Sequence, residues 1–258
     1  MDKHIGAQYF TIKDFIQDTE NFDKACKTIS EIGYTLVQIS GTPLKAEEMK
    51  PILDKYNLKV VTTHRAFDDF KTDIYEIIHY NKTLGCDLCG VGIMPKYCYE
   101  SKEALDQFIK DANEICKVLK ENNMYFGYHN HALEFGKVDG KVIFDRLVEE
   151  TDKEVFNFIV DTYWVQYGGR NPADVIENLG KRAMAIHLKD FTIDVEDWFK
   201  PCICEVGYGN LDWDTIIEAS EKAGARWALV EQDNNHTDGD PFKSMKMSYD
   251  YLVTKGFC

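Results

Sequence analysis

The strongest constraint on this chain is an alternation of strand-length apolar runs with segments of helical period, repeated eight times along its 258 residues. Strand patterns fall at 5–10, 35–40, 59–64, 87–92, 125–131, 156–161, 183–187 and 226–231. Helix patterns lie between them, near 22–32, 46–56, 72–84, 102–122, 142–150, 172–179, 213–223 and 241–254. Apolar runs buried on both faces and separated by helices are how βα units with a parallel sheet are written in sequence. Gly33, Asn57, Gly85, Asn122, Gly180 and Gly224 stand where a left-handed residue closes a helix. Asn171-Pro172 and Asp240-Pro241 each place an N-cap before a proline at the first helical position. No linker or low-complexity tract interrupts the series. The expected architecture is a single domain over residues 1–258, an α/β fold of the (β/α)8 TIM-barrel type.

Charge and cysteine usage narrow the function classes. With 30 basic against 44 acidic residues the formal charge is −14, which opposes attraction to nucleic acid and to acidic membranes. No apolar run reaches the roughly 18 residues that a membrane span needs, and Met1–Lys3 leads straight into strand pattern, so the expected location is cytoplasmic. Eight cysteines are scattered without a secretory signal, as suits a reducing compartment. Cys86-x-x-Cys89 and Cys202-x-Cys204 each resemble half of a zinc site, but the second half is missing, and free thiols are expected.

In a parallel barrel the loops that follow the strands build the active site. The last four strand patterns each deliver a metal-type ligand at that end: Glu134 just past strand five in HNHALEF, Asp161 in FIVDTYW, His187 in AIHLKD and Glu231 in ALVEQD. Period-two alternation puts Ile159 with Asp161, Ala185 with His187 and Leu229 with Glu231, so each ligand points the same way as apolar neighbours. Three carboxylates converging away from water repel one another unless a cation joins them. An oxygen-rich set with one imidazole suits a single divalent ion, Mn²⁺ first, with Mg²⁺ or Co²⁺ as substitutes. His64, His131 and Lys189 lie close enough to the same strand ends to reach a substrate. His129, in mid-strand, is expected to satisfy a core partner, and Tyr9, Trp198 and Trp213 are candidates for an apolar wall.

The segments YHNHALEF, VDTYW, IHLKD and VGYGNLDW resemble those of the xylose isomerase-like TIM barrels, the sugar phosphate isomerase/epimerase family, and the resemblance runs nearly the whole chain. It implies one divalent metal on a Glu, Asp, His, Glu set, which maps onto Glu134, Asp161, His187 and Glu231. Several members carry a substrate-binding histidine three residues after the metal-binding aspartate. This chain has Trp164 there, an indole face for a sugar ring. The implied chemistry is proton abstraction beside a carbonyl, the enediolate being stabilised by the metal. Glu134 and Glu231 are then the two opposed bases and the substrate is a small sugar. Isomerisation or epimerisation of a ketose or keto-sugar is the first expectation. A lyase acting by β-elimination on a keto-sugar, inosose or 3-keto-glycoside begins with the same proton loss and is the alternative. A non-catalytic sugar-binding barrel and an apurinic-site endonuclease are further classes, the latter opposed by the charge. No phosphate cradle is visible, and both homo- and hetero-oligomers are left open.

Overall fold

The computed structural model describes residues 1–196 and 200–258, and Trp198 lies outside the described residues. Eight parallel strands close a barrel: β1 Ile5–Gln8, β2 Leu36–Ile39, β3 Lys59–Arg65, β4 Leu88–Val91, β5 Tyr125–His129, β6 Phe156–Asp161, β7 Ala183–Leu188 and β8 Trp227–Val230. Their order around the barrel follows the chain, with β8 pairing back onto β1. The (β/α)8 expectation is therefore met.

Two apolar layers hold it. Inside the barrel, Leu36, Val61, Leu88, Ile159, Met184, Ala185, Trp227 and Leu229 pack on one another. A larger cluster joins the outer sheet face to the helices, with Phe126, Tyr128, Phe156 and Phe158 as an aromatic block. Filling the barrel interior makes its C-terminal end a floor rather than a channel.

The expected and observed elements differ where polar side chains compete with regular pairing. Strand β5 stops at His129 instead of 131, and Ala132–Phe135 turn into a short 3-10 helix. The left-handed residue after the Lys102–Glu121 helix is Asn123, one later than expected, whereas Asn57 is left-handed as its position predicts. Phe67–Thr72, which falls mostly between the strand pattern 59–64 and the helix pattern 72–84, is a helical turn separate from Ile74–Leu84. Gly90 leaves the room that the His64 ring occupies: a Cβ there would lie 2.8 Å from the imidazole and 2.1 Å from the Thr63 carbonyl.

After β7 the chain makes an antiparallel hairpin, Asp190–Asp194 with Lys200–Cys204. Asp190 organises this excursion. Its buried carboxylate accepts from the amides of Phe191, Gly207, Gly209 and Leu211 and from Trp213 Nε1 at 2.6 Å. A Cβ at Gly209 would lie 2.3 Å from that carboxylate, so only glycine permits the approach. Trp213, expected at a sugar-binding wall, instead spends its indole N–H here and is buried. Tyr9 likewise belongs to the core, its hydroxyl 3.3 Å from Cys26 Sγ. Cys86 and Cys89 are buried free thiols, and burial pushes Cys86 well above its ordinary value.

Asp190→Ala strips one acceptor from five donors at once. It is expected to lower unfolding stability by roughly 2–4 kcal/mol, the scale of unpartnered buried donors. Urea denaturation measures the loss, and limited proteolysis should cut within 192–211 while the rest of the barrel stays resistant.

Candidate active site

Four ligand-type side chains meet where β5 to β8 end: His129, Asp161, His187 and Glu231. One donor atom from each lies within 4.8 Å of the others, and all four residues are buried. Strand geometry explains the convergence. His129 and Asp161 are the last residues of β5 and β6, His187 is the next to last of β7, and Glu231 follows β8. Each sits two residues beyond an inward position: Gly127, Ile159, Ala185 and Leu229.

Surrounding groups fix the tautomers. His129 Nδ1 donates to the Gly92 carbonyl at 2.9 Å, which turns Nε2 toward Asp161 Oδ2 at 3.4 Å. His187 Nε2 donates to Gln38 Oε1 at 2.8 Å, leaving the Nδ1 lone pair facing the Glu231 carboxylate. Nδ1 and Glu231 Oε2 are 2.7 Å apart, yet neither has an aligned hydrogen-bond partner. Burial holds His187 below its ordinary value, so two acceptors face one another. Such a pair calls for a cation beside it, and two imidazoles with two carboxylates are a donor set that divalent ions accept. This donor set fits a divalent metal.

Lys189 is already a cation in that place. Its ammonium lies 2.9 Å from Asp161 Oδ2, 3.1 Å from Glu231 Oε2 and 3.0 Å from Asp233 Oδ2, with the residue buried. Burial alone would raise the Asp161 and Glu231 carboxyls, but Lys189 and the histidines outweigh it and hold both below the ordinary range. Burial would lower Lys189 and raises Asp233. For Lys189 the three carboxylates prevail and keep it above its usual value. His129 is raised: burial opposes its charge, but the Asp161 hydrogen bond and the Glu231 charge prevail.

Above this floor opens a cavity of about 600 Å³. His64, His129, His131, Lys189, Glu231 and Asp233 line its floor, Gln8, Ser40, Arg65 and Asp68 add further polar groups, and Phe10, Phe67, Ile93 and Pro95 contribute apolar surface. His64 Nε2 and His131 Nδ1 are buried atoms without partners. Burial depresses both imidazoles, His131 to about 3, so they stand neutral with a ring nitrogen to spare for a ligand.

The largest departure from the sequence reading is Glu134. Expected as ligand and base, it lies outside the four-residue group. The early end of β5 carries it back toward the helices, where Oε1 accepts from Tyr99 at 2.5 Å and Tyr128 at 2.7 Å and Oε2 from the His131 amide at 2.8 Å. Burial raises this carboxyl against those bonds, and both oxygens are spoken for. His129 occupies the vacated corner, although it was read as a core hydrogen-bonder. Its inward parity, shared with the other three members of the group, is the sequence signal that could have found it. Trp164 packs 5.3 Å from His131 and is not among the cavity-lining residues; its amide donates to Asp161 Oδ1 at 2.9 Å. Glu205, a loop acid in sequence, ties that loop to Thr237 and Ser244. Asp233 had no sequence signal beyond its nearness to Glu231.

The chain matches the xylose isomerase-like TIM barrel family over residues 26–252 and belongs to that family. Inosose dehydratase of Geobacillus thermodenitrificans is 24% identical over 165 residues, covering 59% of this chain and 55% of that protein. The chain thus spans about half the length of such curated relatives. Among solved structures, a sugar phosphate isomerase/epimerase from Parabacteroides distasonis superposes with a TM-score of 0.80 at 19% identity, covering 97% of this chain and 93% of that one. A xylose isomerase-like TIM barrel protein from Mycobacterium smegmatis, in complex with magnesium, gives a TM-score of 0.74 at 12% identity, covering 98% and 97%. No described helix is long and apolar enough to cross a membrane.

Glu134→Ala leaves the buried Tyr128 hydroxyl, the half-buried Tyr99 hydroxyl and the His131 amide without an acceptor. It is expected to cost roughly 2–4 kcal/mol of stability, read as a lowered urea midpoint, and Glu134→Gln less than half of that.

Proposed function

We propose that this chain is a divalent-metal-dependent carbon–oxygen lyase that dehydrates a polyhydroxylated cyclic ketone or keto-sugar, beginning with proton abstraction beside the carbonyl. The observation that carries the reading is the buried pair of imidazoles and pair of carboxylates under a cavity large enough for a sugar. His129, Asp161, His187 and Glu231 would hold the ion, which supplies positive charge against the oxyanion formed when the α-proton leaves. The dehydratase names of the curated relatives favour elimination as the outcome. The magnesium of the Mycobacterium smegmatis neighbour supports a hard cation.

The chain's own groups divide the work. Of the carboxylates on the cavity wall, Glu231 and Asp233 are the two that belong to the charge cluster at its floor, and either can meet a C–H bond above it. His64 and His131 offer unpartnered ring nitrogens to substrate hydroxyls, including the one that departs as water. Removal of the α-proton leaves its electron pair to form the C=C bond as the β C–O bond breaks, and the departing hydroxide takes a proton. Phe10, Phe67, Ile93 and Pro95 keep one side of the cavity dry for the sugar's C–H face. Isomerisation or epimerisation is the second reading, favoured by the description of the Parabacteroides distasonis neighbour. It shares the proton abstraction and returns the proton instead of expelling water.

Two measurements test this. Equilibrium dialysis with Mn²⁺ should give about one ion per chain, lost in His129→Ala and Asp161→Ala and kept in Glu134→Gln; a wild type that takes up no metal contradicts the proposal. Inososes and keto-sugars incubated with the Mn²⁺-loaded protein in deuterated water and followed by NMR should yield an unsaturated ketone. A deuterated epimer would instead establish the second reading, and chelator should abolish either product.

A further inference from the structure

The four-donor group lies under a lysine whose ammonium already does part of a metal's work. Lys189 Nζ approaches Asp161 Oδ2 and Glu231 Oε2, the same carboxylates that would hold a divalent ion, at 2.9 and 3.1 Å. An ion bound to those oxygens and an ammonium resting on them repel at contact distance, so the two cannot both keep this geometry. The backbone of Lys189 is fixed: its amide donates to Thr162 Oγ1 at 3.1 Å, and its carbonyl accepts from that hydroxyl at 2.8 Å. Any yielding is therefore confined to the side chain. Asp233 marks where the side chain can go. Its carboxylate is 3.0 Å from Nζ, its side chain is 24% exposed while that of Lys189 is 1% exposed, and it lines the cavity.

We infer that Lys189 is the resident counter-cation of this site, seated on Asp161 and Glu231 in the metal-free chain and displaced toward Asp233 and the cavity when a divalent ion binds. The inference rests on the metal reading proposed above and adds to it a residue that sets metal affinity. Without Lys189 the empty site would hold two buried carboxylates with no full-time cation beside them, an arrangement that disfavours the empty state. Displaced, the same ammonium would stand at the cavity wall as a fixed positive charge for a substrate oxygen. One residue then serves the empty and the loaded site in turn.

The test compares wild type with Lys189→Met by calorimetric titration with Mn²⁺ alone. Tenfold or greater tightening of Mn²⁺ binding in the variant is expected, together with a lower melting temperature in chelator and a larger rise on adding Mn²⁺. Equal or weaker binding in Lys189→Met overturns the inference while leaving the metal reading intact, and a wild type that binds no Mn²⁺ overturns the metal reading itself. Should the variant fail to fold, reductive dimethylation of the wild type followed by peptide mass spectrometry decides. Modification of Lys189 should rise several-fold in Mn²⁺ over chelator, and an unchanged or reduced yield would overturn the inference.

Discussion

The barrel mouth depends on a charge problem: two carboxylates, Asp161 and Glu231, buried beside two imidazoles. Uncompensated, such groups would cost several kcal/mol each. The chain answers with Lys189 and with second contacts that leave each imidazole little freedom, Gly92 O for His129 and Gln38 for His187. Three carboxylates lie within 3.1 Å of one ammonium, so the cluster tolerates a positive charge far more readily than its absence.

The scaffold explains why the arrangement is stiff. Inward apolar residues fill the barrel beneath the site, so Asp161, His187 and Glu231 stand on packed side chains rather than on solvent. Asp161 has a second duty as the N-cap of Thr162–Tyr167, which fixes one oxygen and leaves the other for the cluster. Asp190 draws the strand-seven excursion onto the Gly207–Trp213 segment, and Glu205 ties it to the loop after β8. Rigid strand ends framed by hydrogen-bonded loops are the setting in which a reacting geometry can be held to a fraction of an ångström.

Much of this was legible in the sequence, because period-two alternation and strand-end polarity are local. Asp161, His187 and Glu231 follow from parity alone, and Lys189 from its place two residues past His187. Glu134 misled because a β5 pattern running to 131 hides the stop at His129. Whether a strand yields to a 3-10 turn there is settled by Tyr99 and Tyr128, residues 35 and 6 positions away in the chain. The roles of Gln38 and Asp233 were illegible for the same reason: each is defined by a contact with a residue from another strand end, Gln38 with His187 across the barrel and Asp233 with Lys189 on the neighbouring strand, and no spacing rule carries that information. Gln38 meets His187 at a separation of 149 residues.

The central claim, that His129 and not Glu134 completes the cation site, is tested most directly by a crystal structure of the protein soaked in Mn²⁺, with anomalous differences collected at the manganese edge. The account predicts one strong anomalous peak within bonding distance of His129, Asp161, His187 and Glu231, with Glu134 still bonded to Tyr99 and Tyr128. A peak coordinated by Glu134, or no peak between the four side chains, would contradict it.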